Sequence, residues 1–433
     1  MRLSLTARAA DPKRRSALLG ALVATVQNSL TLGAAPPLQI APAGSRILSI
    51  DGLRGAIMIL MAIDHIRDYM NSAAMSFPPT DLERTTGPIF FTRWITHFCA
   101  PVFAFTAGLG AFFWARRRTK AQLSRFLVTR GLWLMALEVT VLRFIMFFDF
   151  RFTKAFFILT VLWMLGLSMV VLAALVHLPA RLLAVLSLAM VAGHNLLDGI
   201  DAAQFGRAAW VWDVLHQQGV FSVFGDNVLT AYPLVPWVAV MALGYCLGPV
   251  FFWGAARRQR FLMRLGLGLS AGFVALRAIN VYGDPSHWSH QRSGLFTVLS
   301  FLNTTKYPPS LDFLLMTLGP AMVALVFLER AQLSFANPLV VFGRVPFFYF
   351  LLHMALAHVV AIALNFFRYG HTSFLFTPPP SMGGEPKMFP PNFGFSLWVV
   401  YAVWMGVVAA LYPVCRWYAQ LKQRRRDWWL SYL

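Results

Sequence analysis

Ser49–Met70 reads SIDGLRGAIMILMAIDHIRDYM. The stretch is apolar enough to enter a bilayer, yet it carries Asp51, Arg54, Asp64, His65, Arg67 and Asp68. A charged side chain at membrane depth costs roughly 2.5–3.5 kcal/mol on insertion scales, so its default reading is functional. Arg54 and His65 are eleven residues apart, which puts them on nearly the same helix face, about 16 Å apart along the axis. One polar stripe can therefore run through half the membrane. Asp64 and Asp68 stand at i,i+4 with Arg67 between them, so local pairing offsets part of the burial cost. The pattern predicts a helix that lines a polar cavity inside a bundle and carries a catalytic histidine.

Working outward, composition sets the class. Of 433 residues 58% are hydrophobic and only 12% charged, and mean hydropathy is +0.62. A soluble domain carries about 25% charged residues, so an integral membrane protein is expected. The net charge of +20 resides in clusters between apolar runs, which suits the positive-inside rule and speaks against a nucleic-acid partner. Cys99, Cys246 and Cys415 are scattered at no metal-ligand spacing and read as small hydrophobes.

The expected fold class is all-α, a polytopic transmembrane bundle. Ten runs are each long enough to span the hydrocarbon core, near 50–71, 90–114, 130–149, 154–177, 180–198, 230–253, 261–281, 309–329, 337–366 and 393–415. Basic clusters at Arg116–Arg118 with Lys120, at Arg257–Arg260, at Arg330 and at Lys422–Arg426 follow even-numbered spans. Both termini are accordingly expected in the cytoplasm. Residues 1–45 read as a flexible basic extension, 46–420 as one transmembrane domain, and 421–433 as a basic cytoplasmic tail. The opposite loops, 72–89, 199–229, 282–308 and 367–392, are longer and richer in Pro, Gly and aromatics. An external acceptor would be gripped there.

The DGLRG box, with ten residues between its Arg54 and His65, resembles the Arg-x10-His signature of the large membrane O-acyltransferase family that modifies surface polysaccharides. The whole stretch RILSIDGLRGAIMILMAIDHIRDYM is more similar still to the heparan-α-glucosaminide N-acetyltransferase-like family, in its bacterial branch. So are AYPLVPWVAVMALGYCLG (231–248), FLNTTKYPPSLDFLLMTLGP (301–320) and FGRVPFFYFLLHMALAH (342–358). The resemblance implies transfer of an acyl group, acetyl first, from cytoplasmic acyl-CoA to a sugar or glycan across a bacterial inner membrane. The lysosomal enzyme of that family has Asn where His65 stands, with its active histidine in the following loop. Here Asn71–Pro88 contains no histidine, and His65 matches the O-acyltransferase pattern instead. The resemblance therefore implies acyl transfer without fixing nitrogen as the acceptor atom.

The residues argue for roles on their own. Attack of a hydroxyl on a thioester needs a base near neutral pKa, and histidine fits best. His65 is the expected base or transient acyl carrier. Asp68, at i+3, is better placed than Asp64 to orient its ring. Arg54, nearer the cytoplasm, would hold a CoA phosphate with its guanidinium fork; the structural alternative is that it snorkels to headgroups. Arg93 and His97 form an i,i+4 pair, Arg93 expected on substrate and His97 at the catalytic centre. Lys306, in NTTKYPPS on the external side, is expected to contact substrate or an oxyanion. His353 and His358 lie 140° apart around one helix, so only one can face the site; His353, deeper in the span, is expected there. Glu138, Arg143 and Arg277 are explained by mutual pairing.

No P-loop or HExxH motif occurs, and no metal is expected. The partners expected are the bilayer, acyl-CoA and a glycan, with a homo-oligomer allowed. The rival reading is a proton-coupled secondary transporter, since buried Asp/His/Arg sets also form proton relays. Matched halves with interrupted helices mark such transporters, and the 49–70 pattern has no second copy in the later half.

Overall fold

The computed structural model describes residues 47–149, 156–377 and 386–425, with 427 and 430. The N-terminal extension lies outside these residues, and the basic tail is described only in part. Six helices are long and apolar enough to cross a membrane: Gly87–Ala115, Ala180–Leu197, Ala255–Ile279, Leu311–Arg330, Pro346–Tyr369 and Leu397–Arg424. Val161–Leu175 and Trp237–Phe252 are apolar but shorter. The chain is a multi-pass, mainly helical membrane protein.

In chain order the helices are α1 (Leu48–Met70), α2 (Gly87–Trp94), α3 (Cys99–Ala115), α4 (Lys120–Leu137) and α5 (Arg143–Phe147). Then come α6 (Val161–Leu175), α7 (Ala180–Gly193), α8 (Ala209–Leu215), α9 (Trp237–Leu247) and α10 (Ala255–Ile279). The last are α11 (Gly294–Leu302), α12 (Leu311–Arg330), α13 (Pro338–Arg344), α14 (Pro346–Tyr369) and α15 (Leu397–Arg424).

α1 is buried on most of its circumference and packs against α3, α12, α13, α14 and α15. Its contact with α13 is made by glycines. A Cβ on Gly55 would strike the Leu339 carbonyl, and one on Gly343 would strike the Asp51 carbonyl. Without side chains the two backbones touch, the packing device that bilayers favour. α3 and α9 repeat it, with Gly108 against Met241 and Gly244 against Phe105. At the other extreme, Leu182, Val185, Leu186 and Leu188 of α7 point outward, an apolar face suited to lipid.

Three features depart from the sequence expectation. The run 130–149 is not one helix: α4 passes through a π-helical turn at Glu138–Leu142 before α5. The run 337–366 is broken between α13 and α14, where Val345 leaves helical geometry (φ −129°, ψ 48°) just before Pro346. Proline disfavours the α conformation in its predecessor, which accounts for the break. Finally, a small sheet joins the helices. β1 (Phe156–Leu159) pairs in parallel with β3 (Asp226–Thr230), which pairs antiparallel with β2 (Gly219–Val223). Phe224 and Gly225 close that hairpin, both with positive φ. Residues 156–159 were expected inside a span, but helix α6 starts only at Val161. Its first turn is capped by Glu138, which accepts from the amides of Thr160, Leu162 and Trp163 at 2.8, 3.1 and 3.2 Å.

Candidate active site

α1 presents His65 toward α14. Its Nδ1 lies 2.7 Å from Nε2 of His353, and the two rings are within 12° of parallel. Nδ1 of His353 in turn lies 2.9 Å from the carbonyl of Tyr349, one turn back on the same helix. A carbonyl only accepts, so Nδ1 of His353 carries the hydrogen. Neutral His353 then has a bare Nε2, which accepts from the Nδ1–H of His65. The lone pair of His65 is thereby left on Nε2, the nitrogen outside this chain of hydrogen bonds. His353 is fully buried, with the Tyr349 ring 4.9 Å away on one side and the Phe350 edge at 5.6 Å. His65 itself is half-buried.

Beside the histidines lies an ion-pair cluster. Asp64 takes Arg67 at 2.7 Å and is also paired with Arg93 of α2. Asp68 takes the other end of Arg67 at 2.6 Å. This corrects the expectation that Asp68 orients His65: a guanidinium one residue away holds the carboxylate, and the ring is oriented from another helix. Charge is thus compensated within the cluster, the condition for burying it at all. Lys306 sits with this group, 9% exposed, its ammonium 5.2 Å from the Tyr307 ring centroid and 6.0 Å from that of Tyr232. Burial raises the pKa of the Tyr307 phenol, but Lys306 and Arg93 beside it bring it below its ordinary value.

The loop that carries Lys306 is held from below. Asp284 accepts from the amide and hydroxyl of Thr305, each at 2.8 Å, and from the hydroxyl of Ser310 at 2.5 Å. Arg277 gives hydrogen bonds to the carbonyls of Phe301, Ser286, Ser300 and Asn303 and lies 3.8 Å from both Asp284 and Asp312. Among the described residues, Glu138, Arg143 and Arg277 do not pair with one another. Each is held locally, Glu138 by the start of α6 and Arg143 by Asp149 at 3.2 Å.

The remaining candidates fall in different places. His97 is buried in the turn Ile95–Phe98 against Phe313, with its Nδ1 unsatisfied. It borders the ion-pair cluster and is not part of the His65–His353 pair. His358 is stacked between Tyr69 and Phe148 and faces the carbonyls of Ile145 and Leu375 at 2.8 and 2.9 Å. The two histidines of α14 thus face different surroundings, as their 140° separation requires.

A cavity of about 900 Å³ opens along the His65 face of α1, toward the N-terminal end of that helix. Arg54, Arg118 and Arg130 stand in its wall, with Trp114, Phe126, Met58, Met61 and Phe350 among the apolar and aromatic residues that complete it. Arg54 is paired with Asp51 at 3.6 Å. Arg54 stood out in the sequence, whereas Arg118 counted only as a sign of orientation and Arg130 not at all. Arg118 lies in the turn after α3, and Arg130 lies within α4. Trp114 and Phe126 stack at 4.3 Å, and the Arg118 guanidinium lies 4.0 Å from the Trp114 centroid.

Comparison with known proteins agrees with this architecture. The family model described as heparan-alpha-glucosaminide N-acetyltransferase, catalytic, matches residues 46–276, more than half of the chain. No curated protein matches the sequence. The matched region contains α1 with Arg54 and His65, the ion-pair cluster around Asp64 and most of the cavity wall; His353 and Lys306 lie beyond it. The chain belongs to the heparan-alpha-glucosaminide N-acetyltransferase catalytic family, a family of membrane acetyltransferases.

Proposed function

We propose that this protein moves an acyl group, acetyl first, from cytoplasmic acyl-CoA to a sugar or glycan on the far side of the bilayer. One juxtaposition carries the reading. A cavity with three arginines in its wall ends one helical turn before a histidine whose tautomer leaves Nε2 as a base. Guanidinium forks suit the phosphates of CoA, and the apolar wall suits its pantetheine arm. Phe126, backed by Trp114, offers a flat face for the adenine.

The chemistry follows from these atoms. An acceptor hydroxyl or amine gives its proton to Nε2 of His65 while its oxygen or nitrogen bonds the thioester carbon. Collapse of the tetrahedral intermediate breaks the C–S bond, and His65 returns the proton to the departing sulfur. The lone pair of Nε2 also suits a transient acyl carrier. His353 holds the ring in the productive tautomer. Arg54, joined by Arg118 and Arg130, holds the donor; Arg93 and Lys306 meet the acceptor, and the Lys306 ammonium supplies positive charge for a developing oxyanion. His97 serves the same acceptor side, and Asp68 acts through Arg67.

The proposal includes ten spans with both termini in the cytoplasm of a bacterial inner membrane. Supporting it, every one of the ten expected runs contains a helix, and the basic clusters lie at alternate ends of them.

The deciding experiment is acetyl-CoA binding and thioester hydrolysis by the detergent-purified protein, beside His65→Ala and Arg54→Ala. Retained binding with lost turnover in His65→Ala, and lost affinity in Arg54→Ala, supports the assignment. No affinity for CoA in the wild type sinks it and returns the charged stripe of α1 to the transporter reading.

A further inference from the structure

The cavity stops short of the histidine. Met61 and Phe350 line it, each 5% exposed, whereas His65 is absent from its wall. Met61 stands one turn before His65 on α1, about 6 Å along the axis. The Phe350 ring meets His65 edge-on at 6.1 Å between centroids. It therefore has one side in the cavity and the other against the histidine pair. Neither residue offers a strong polar group at this spot; what both contribute is volume.

Resting on the assignment of this cavity to acyl-CoA, we infer that Met61 and Phe350 form an acyl-length gate that passes a short acyl group and turns back a longer one. The thioester carbon must come within about 3–3.5 Å of the attacking atom, whose proton goes to His65. The carbonyl has to advance past the end of the cavity, and the chain beyond it must fit between Met61, Phe350 and the His65 ring. Acetyl brings one methyl group there. Hexanoyl brings four further methylenes, and a single methylene in a close-fitting apolar pocket changes specificity about 10- to 200-fold. Elsewhere the cavity is roomy: a Cβ on Gly110, in its wall, meets nothing within 4 Å. The restriction is local to the two gate residues.

The test is a donor series, acetyl-, butyryl- and hexanoyl-CoA, hydrolysed by the full chain in detergent, with free-CoA binding measured alongside. In this reaction water bonds the carbonyl carbon, the C–S bond breaks, and the carboxylic acid and the CoA thiol leave. Wild type is expected to prefer acetyl- over hexanoyl-CoA by about 100-fold in kcat/KM. Met61→Ala and Phe350→Leu should each narrow that ratio by about tenfold. Gly110→Leu should weaken all three donors by a common factor. Equal use of acetyl and hexanoyl by the wild type overturns the gate, even if neither variant folds. So does an unchanged ratio in gate variants that still bind CoA. Absence of free-CoA binding in the wild type is a different result: it removes the donor site, and the gate with it.

Discussion

The two nitrogens of His65 have different environments, and each can be probed separately. His65→Ala removes the base and is expected to lower thioester turnover by about 10²–10⁴-fold with CoA affinity unchanged, read as kcat against equilibrium binding. His353 acts on the tautomer rather than on substrate. His353→Ala should therefore lower kcat with little change in KM, and His353→Gln, whose amide oxygen can accept from Nδ1–H, should recover part of the loss. Equal damage by both variants would mark His353 as packing alone. Both histidines stood out in the sequence, where Asp68 held the orienting role. Neighbours on one helix were visible in the sequence; a contact between residues 288 positions apart was not, because helix periodicity fixes which face a residue occupies and not which helix meets it.

Among the elements, α1 depends on two backbone devices near it. The Gly55–Gly343 crossing leaves no room for a Cβ, so Gly343→Ala forces α1 and α13 apart. Overpacking of this kind costs about 1–3 kcal/mol and should appear as a lower thermal midpoint by intrinsic fluorescence in detergent. The Glu138 carboxylate is the second device, since it caps the buried start of α6 in the cavity wall. Glu138→Ala strands those amides, at about 1–3 kcal/mol, whereas Glu138→Gln keeps an accepting oxygen and should lose less. Hydrophobic runs made the helices legible from sequence. They did not reveal the π-helical turn or the cap, because both depend on where the chain returns to pack against Glu138.

For the molecule as a whole, the positive-inside distribution and the apolar runs were enough to identify a multi-pass bundle, and the DGLRG box pointed to its family. The small sheet escaped because its strands are short and far apart in sequence, with β1 folded into an apolar run that resembled a span. The cavity was only partly legible: one arginine came from the charged stripe, while Arg118 and Arg130 emerged when α3 and α4 were seen to enclose it with α1. If the three arginines hold the donor through its phosphates, Arg118→Ala/Arg130→Ala should weaken CoA binding by about tenfold or more at low salt. Raising ionic strength should shrink the difference from wild type. An affinity indifferent to both changes would mean that phosphates do not dock there.

The hydrogen-bonded chain from His65 through His353 stops at the Tyr349 carbonyl, which has no proton to pass on and cannot carry one away. It is a cul-de-sac rather than a wire. A proton collected by His65 must be spent within the same turnover, so transfer should run equally fast in proteoliposomes with and without a pH gradient, and an uncoupler should leave its rate untouched.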